Sequence, residues 1–263
     1  MNIYIESLID TLYFTGVIIL VGFALGKLRN ATLTNFQKTS GGKVVALTAF
    51  IGVPIHELGH LIFAIIFRHK IGKVRLLQFK RNDNTLGYVE HSSNPLSIYQ
   101  QLGNFFIGIG PIIGGTLSII LLMRLLLPSL YQQFIELSIL NLDIDSLNMT
   151  VFVDILSSYG KIMSNMFNFE NITNLNFIIF LLLSISISSH ISLSKPDIQG
   201  AFKGLFLFYI LVVAFNYFGL LNSFQFNLMK YNVLLTSFLA ISMFFSITTY
   251  LISLLFTLII RNP

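Results

Sequence analysis

The 263-residue chain is too apolar to be a soluble domain, because 54% of its residues are hydrophobic, only 10% are charged and its mean hydropathy is +0.79. Its net charge of +5 is spread over short loops without a dense basic stripe, which argues against nucleic acid as a partner. Cysteine is absent, which excludes disulfides, thiolate metal ligands and cysteine nucleophiles and leaves histidine and carboxylates for any chemistry.

Six apolar stretches are long enough to cross a lipid bilayer, which takes about 20 residues each. None shows the alternating hydrophobicity of a barrel strand. The stretches cover 8–26, 44–67, 102–127, 174–194, 201–222 and 232–259. The sequence therefore predicts an all-α polytopic membrane protein with about six transmembrane helices, folded as a single domain over 1–263 with its core at about 44–222.

The first stretch is predicted to be an uncleaved span. Glu6 and Asp10 precede it where a signal peptide would carry cations, and no small-residue cleavage site follows. Abundant Ile, Phe, Asn and Lys suggest an AT-rich bacterial genome, so the predicted location is a bacterial cell membrane.

The second stretch contains the sequence His-Glu-Leu-Gly-His at 56–60. Ionisable residues are costly in hydrocarbon and persist there when they face a polar cavity, a metal or each other. Residues four apart lie on one face of a helix, so His56 and His60 can bind a single Zn²⁺ while Glu57 beside it activates a water molecule. The alternative is a structural cluster whose polar groups satisfy one another.

A β-hairpin is predicted between the second and third stretches. Segments 73–80 and 87–91 alternate in polarity and flank the turn-forming residues 81–85. An amphipathic loop on the membrane surface is the alternative. Either one would emerge on the same face as Arg68, close to the mouth of a cavity leading to His60.

The segment 129–172 is predicted to form amphipathic interfacial helices on the opposite, extracytoplasmic face, because carboxylates recur there among Leu, Ile and Val. These carboxylates are Glu136, Asp143, Asp145, Asp154 and Glu170.

The distribution of Lys and Arg in the loops only slightly favours an N-terminus on the cytosolic side. In that orientation nine of these cations lie inside and seven lie outside, and Lys27 and Arg29 belong to the outer side. At about 1.5 Å per residue, a metal at His60 lies roughly 10 Å below the surface from which Arg68 emerges.

A catalytic zinc takes three protein ligands, so one more has to be found near the His60 end of the second span. Asp197 lies in the break 194–200 between two apolar stretches, where Pro196 and Gly200 can interrupt a helix that lines a polar cavity. It is the predicted third ligand, and a helix cap is its alternative role. We predict different roles for the other residues at this end. Glu90 and His91 are expected at the hairpin surface, and His190 is expected to support a ligand, to line the cavity or to lie at the membrane interface.

The residues from about Gly52 to Gly204 resemble the site-2 proteases, intramembrane zinc metalloproteases, and especially compact bacterial members without a PDZ domain. The motif at 56–60 is the strongest element, and 103–111 looks like the glycine-proline segment of the family. Asp197 and Gly200 occupy the position of the family's aspartate-glycine motif. That motif is usually Leu-Asp-Gly, whereas this chain has Pro196-Asp197-Ile198. The asparagine that commonly follows the glycine-proline pair is also missing.

The resemblance implies zinc held by His56, His60 and Asp197, with Glu57 as general base and a site that opens towards the cytosol. It also implies that the hairpin holds the substrate as an added strand. Candidate substrate-binding residues are Gly87, Tyr88, Val89 and Asn104. For the small residues Gly108, Gly110, Gly114 and Gly115, close helix packing is at least as good an explanation as substrate contact.

The predicted function is zinc-dependent hydrolysis of a peptide bond in, or at the edge of, the transmembrane segment of a membrane-protein substrate. The alternative is a non-catalytic scaffold, chaperone or immunity-type membrane protein that retains the fold. A metallopeptidase acting on soluble substrates is the nearest enzymatic alternative. A transporter is disfavoured, because the stretches show no inverted repeat and the polar residues form one cluster.

Overall fold

The computed structural model describes residues 2–79, 85–140, 149–220 and 228–261. It is an all-α membrane protein with one small antiparallel sheet, as predicted. In chain order the elements are α1 Ile3–Ser40, α2 Lys43–Ile66, β1 Lys70–Arg75, β2 Tyr88–Ser92, α3 Ile98–Leu126, α4 Pro128–Leu140, α5 Met149–Met166, α6 Phe169–Ile172, α7 Leu175–Ser188, α8 Lys195–Tyr217 and α9 Leu228–Arg261.

Five of the described helices, α1, α2, α3, α8 and α9, are long and apolar enough to cross a membrane. Large apolar side chains cover their outer faces: Leu20 is 72% exposed and Leu47 is 73% exposed. Outward-facing leucines at this density are expected where the neighbouring phase is hydrocarbon.

The helix in the fourth predicted stretch, 174–194, is shorter than expected. Its helix α7 has 14 residues, about 21 Å at 1.5 Å per residue, which falls short of a bilayer core of about 30 Å. The helix ends where the sequence turns polar, at Ser188, and residues 189–194 are not helical.

Helices α7 and α8 are two parts of one interrupted pass that runs antiparallel to α3. Gly115 of α3 packs on Ile187 and Ile191, Gly108 packs on Asp197, and Gln101 lies beside Gly204. The interruption therefore lies inside the bundle, about ten residues along α3 from its start at Ile98.

Helix α1 extends well beyond the predicted span 8–26 and has 38 residues. It ends at Gly41, whose left-handed backbone (φ +58°) suits a glycine. Lys27 and Arg29, assigned from the sequence to an outer loop, instead lie within this helix. Helix α9 packs along it, with Asn35 donating to Ser253 at 3.1 Å.

The predicted hairpin is present. Strands β1 and β2 pair antiparallel, with Ile71 opposite His91 and Val74 opposite Val89, and the register shifts between those two pairs. The first strand begins at Lys70, three residues earlier than predicted, directly after a turn in which Arg68 has a positive φ of 56°. Most of the predicted turn lies outside the described residues.

Within 129–172, most of the described residues form the helices α4, α5 and α6, so the predicted helicity is confirmed for these residues. Asp143 and Asp145 lie outside the described residues. The position of these helices relative to the membrane, and the face on which they lie, remain predictions. Helix α4 contributes Phe134 to the same core cluster that contains Ile112 of α3 and Phe245 of α9.

Candidate metal centre

Helix α2 carries His56 and His60 one turn apart on its inner face, with ring centroids 5.1 Å apart. His60 and Glu57 are buried, at 9% and 7% exposure. Two imidazoles and a carboxylate are thus withdrawn from lipid on one helix face, which agrees with the predicted spacing of a metal site.

Both imidazoles are oriented by backbone carbonyls. The Nδ1 of His56 contacts the carbonyl oxygen of His190 at 2.9 Å, and the Nδ1 of His60 contacts that of Ile107 at 2.8 Å. A carbonyl can only accept a hydrogen bond, so each Nδ1 carries the proton and each Nε2 keeps a lone pair for a metal.

The two carbonyls are available because neither receives the usual helical N–H four residues later. Position 111 is proline, which has no N–H to donate to Ile107. The N–H of Ser194 donates to Asp197 Oδ2 at 2.7 Å, and so is not used by His190. The proline of the glycine-proline segment therefore helps to orient His60, a candidate metal ligand.

Asp197 forms the helix cap that the sequence left open as its alternative role, and its side chain also faces the histidine pair. Its Oδ2 accepts from the Ser194 N–H, and the Ser194 side chain accepts from the Asp197 N–H at 3.3 Å, which is a capping box at the start of α8. Its other oxygen, Oδ1, lies 3.4 Å from the Nε2 of His60. The cap fixes the carboxylate with one oxygen directed at the histidine pair.

These three side chains can hold a metal ion, since their ligand atoms all lie within 4.8 Å of one another. In a tetrahedral zinc site with bonds of about 2.1 Å, ligand atoms are about 3.4 Å apart. The spacing fits after small side-chain movements, and two neutral imidazoles with one carboxylate are a donor set suited to zinc.

A cavity of about 640 Å³ adjoins the three side chains. Its walls come from α1, α2, the hairpin, α3 and α8, and the candidate substrate-binding residues Gly87, Tyr88, Val89 and Asn104 all line it. Glu57 lies against the hairpin: a Cβ added to Gly87 would be 2.8 Å from Glu57 Cγ. Only a glycine allows the hairpin backbone to approach the carboxylate so closely.

His91 was predicted to be a hairpin surface residue, and this was wrong, because its side chain lines the cavity. Its Nδ1 lies 3.0 Å from the Nδ1 of buried His69, whose Nε2 donates to the Gln100 carbonyl at 2.8 Å. Burial, and then the neighbouring His69, lower the pKa of His91 below its ordinary value. Glu90 is at the surface, as predicted.

The close helix packing suggested for the glycines of α3 is present. Gly110 packs on the backbone of Gly59, Gly114 also meets Gly59, and Gly108 packs on Ala201. His190 is buried and lines the cavity, and it supports His56 through its carbonyl. The residue that sequence reasoning missed is Arg29, which also lines the cavity.

Replacing Pro111 by alanine is expected to weaken zinc binding about 10-fold, because the new N–H would compete with His60 for the Ile107 carbonyl. Zinc competition with a chromophoric chelator measures the effect. The matched control is Pro54→Ala in α2, which restores an N–H towards the Phe50 carbonyl and is expected to leave zinc affinity unchanged. Equal zinc affinities of the Pro111 and Pro54 variants would contradict this role.

Comparison of the chain with protein-family models, with curated proteins and with solved structures found no match, so the assignment of function depends on the site itself.

Proposed function

We propose that this protein is a zinc-dependent intramembrane protease of the site-2 type, which hydrolyses a peptide bond in, or at the edge of, the transmembrane segment of a membrane-protein substrate. The observation that carries the proposal is the placement of buried Glu57 in the same cavity as His56, His60 and Asp197. A purely structural metal site has no use for a fourth ionisable group beside an accessible cavity.

His56, His60 and Asp197 would hold the ion through two Nε2 atoms and Oδ1. When bound, zinc supplies Lewis acidity that favours attack on a peptide carbonyl. Glu57 takes a proton from the attacking water while the water oxygen bonds to the carbonyl carbon. When the C–N bond breaks, Glu57 returns that proton to the leaving nitrogen.

The hairpin supports a peptide as the substrate. Both strands of a two-stranded sheet are edge strands, and the start of β2, at Tyr88 and Val89, lines the cavity beside Glu57. An extended peptide could add to such an edge through backbone hydrogen bonds. A transmembrane substrate would unwind there, which exposes a peptide bond that its own helix would otherwise shield.

The orientation belongs to the proposal as well. We place the mouth of the cavity on the cytosolic side of a bacterial cell membrane, in line with the resemblance to site-2 proteases and with the cluster of cations from Arg68 to Arg75 next to it. A membrane-anchored substrate would reach the cavity from the bilayer.

The experiment compares membrane-protein fragments in cells that contain the wild-type protein with those in cells that contain Glu57→Gln. A fragment present only with the wild type would establish cleavage and identify a substrate. Its termini would show whether the cut lies in a transmembrane segment or in a soluble part. Zinc binding by both proteins, with no Glu57-dependent fragment, would favour the non-catalytic scaffold instead.

A further inference from the structure

Arg29 of α1 lies three residues beyond the apolar stretch 8–26, and its side chain lines the cavity. A charged group withdrawn from water costs free energy unless an ionic or hydrogen-bonding partner compensates it. Its side chain is partly buried, and its buried Nε has no hydrogen-bond partner in the structure. The contact of Nη1 with the Asn30 side chain, at 3.4 Å, is long. Local hydrogen bonding therefore does not account for this guanidinium.

The packing of α1 directs Arg29 towards the metal centre. On the same face, a Cβ added to Gly22 would lie 2.7 Å from the Leu193 side chain, and one added to Gly26 would lie 3.8 Å from the Leu193 carbonyl. The next turn of α1 therefore faces the chain that leads into Asp197. Arg29, Leu33 and Gln37 follow at helical spacing and line the cavity.

Arg29 lines the same cavity as Asp197, His56 and His190. Within the described residues, however, the carboxylate of Asp197 has its ion-pair contact with His60 and none with Arg29. Arg29 enters from the α1 wall, whereas Glu57 lies against the hairpin. With a divalent ion bound, Asp197 and Glu57 would balance the ion and leave the guanidinium uncompensated.

We propose that Arg29 is an anion-binding residue of this cavity, whose guanidinium binds the carboxylate or the oxyanion of a bound peptide. Guanidinium groups suit these ligands, because they present several N–H donors in a plane that matches two oxygen atoms. Arg29 enters the cavity from α1 and Glu57 from α2, so the guanidinium can contact the carbonyl oxygen while Glu57 takes the proton.

The catalytic part of this inference rests on the proposed function. As the water oxygen bonds to the carbonyl carbon, an electron pair moves onto the carbonyl oxygen and the proton of the water goes to Glu57. Arg29 stabilises the resulting oxyanion. When the C–N bond breaks, the electron pair returns to the carbonyl and the nitrogen takes the proton from Glu57, which leaves an amine and a carboxylic acid. The acid then loses its hydroxyl proton through Glu57 to the amine, and the product carboxylate remains beside Arg29.

The binding test uses zinc-loaded protein in detergent and two probes, N-acetyl-trileucine with a free carboxylate and the same peptide as its amide. The wild type should prefer the carboxylate, and Arg29→Met should reduce this preference about 10-fold, the usual size of a charge-assisted hydrogen bond. Arg29→Lys should keep part of the preference. Lys27→Met, which removes an exposed cation from the same helix, should keep all of it.

Zinc content is measured in every variant, so that a loss of metal is not taken for a loss of anion binding. An unchanged preference in Arg29→Met would overturn the proposal, and so would an equal weakening of both probes, which indicates a structural role. If Arg29→Met does not fold, the preference for the carboxylate probe is compared between Arg29→Lys and Lys27→Met. An equal preference in these two variants would overturn the proposal.

The same variants separate this inference from the proposed protease function. With a cleaved substrate, Arg29→Met should lower kcat about 100-fold with a smaller change in KM, because the oxyanion exists only during the reaction. Cleavage that survives in Glu57→Gln would refute the protease mechanism, but it would leave the result of the probe-binding test for Arg29 unchanged. Cleavage lost in Glu57→Gln but normal in Arg29→Met would refute only the role of Arg29.

Discussion

Exchanging Glu57 for glutamine should lower the rate of substrate cleavage by about 1,000-fold, within the range of a lost general base. Glutamine has nearly the shape of glutamate but cannot take a proton from water. The three side chains proposed to hold zinc are unchanged, so the variant should contain as much zinc as the wild type. Purified protein in detergent, with a substrate found by the fragment comparison, gives both quantities.

The matched control is Glu90→Gln. Glu90 is an exposed glutamate of β2 whose Oε2 accepts from the Lys73 N–H at 3.3 Å, and it does not line the cavity. Its replacement removes one negative charge from the same hairpin and should leave cleavage within about twofold. A Glu57→Gln variant that cleaves at the rate of Glu90→Gln would refute the role of Glu57 as general base.

The pairing of the two histidines could be predicted because its signal is local. A four-residue spacing on a helix determines that His56 and His60 share a face, whatever the rest of the chain does. The groups that orient them could not be predicted, because they belong to α3 and to the break after α7. Pro111 was noticed as part of a motif, but the carbonyl that it releases is visible only when α3 lies against α2.

Asp197 was predicted on an assumption about topology that the structure modifies. Counting 174–194 as a full span placed residue 197 near the membrane surface on the Arg68 side. Instead α7 ends early, and α8 begins inside the bundle at the level of Gly108. Asp197 nevertheless faces the histidines, because the polar residues 194–197 form a capping box in that gap, so one carboxylate can both start a helix and lie beside His60.

Arg29 and His91 were misplaced because a charged residue between apolar stretches is normally a loop residue. Whether α1 continues past residue 26 depends on its contacts with α9 and with Leu193, which are distant in sequence. The signal was present in part: a lone arginine four residues before Leu33 and eight before Gln37 continues the helical period of Gly22 and Gly26.

Replacing Gly59 by alanine should destabilise the protein by about 3 kcal/mol, at the upper end of the usual cost of overpacking. A Cβ at Gly59 would lie 2.6 Å from the Gly110 carbonyl oxygen and 2.8 Å from Pro111 Cα. Both neighbours are helix backbone and cannot rotate away, so α2 and α3 must separate. Thermal unfolding in detergent should show a melting temperature lower by about 10 °C.

The separation would also disturb the metal centre, because Gly59 precedes His60. The 2.8 Å contact between His60 and the Ile107 carbonyl bridges the same two helices and would lengthen as they part. Zinc affinity should therefore fall together with stability. Gly16→Ala in α1 is the control: its Cβ would meet no atom within 4 Å, so both quantities should stay at the wild-type level. A Gly59→Ala protein that loses stability but keeps full zinc affinity would show that the ligand geometry does not depend on this helix contact.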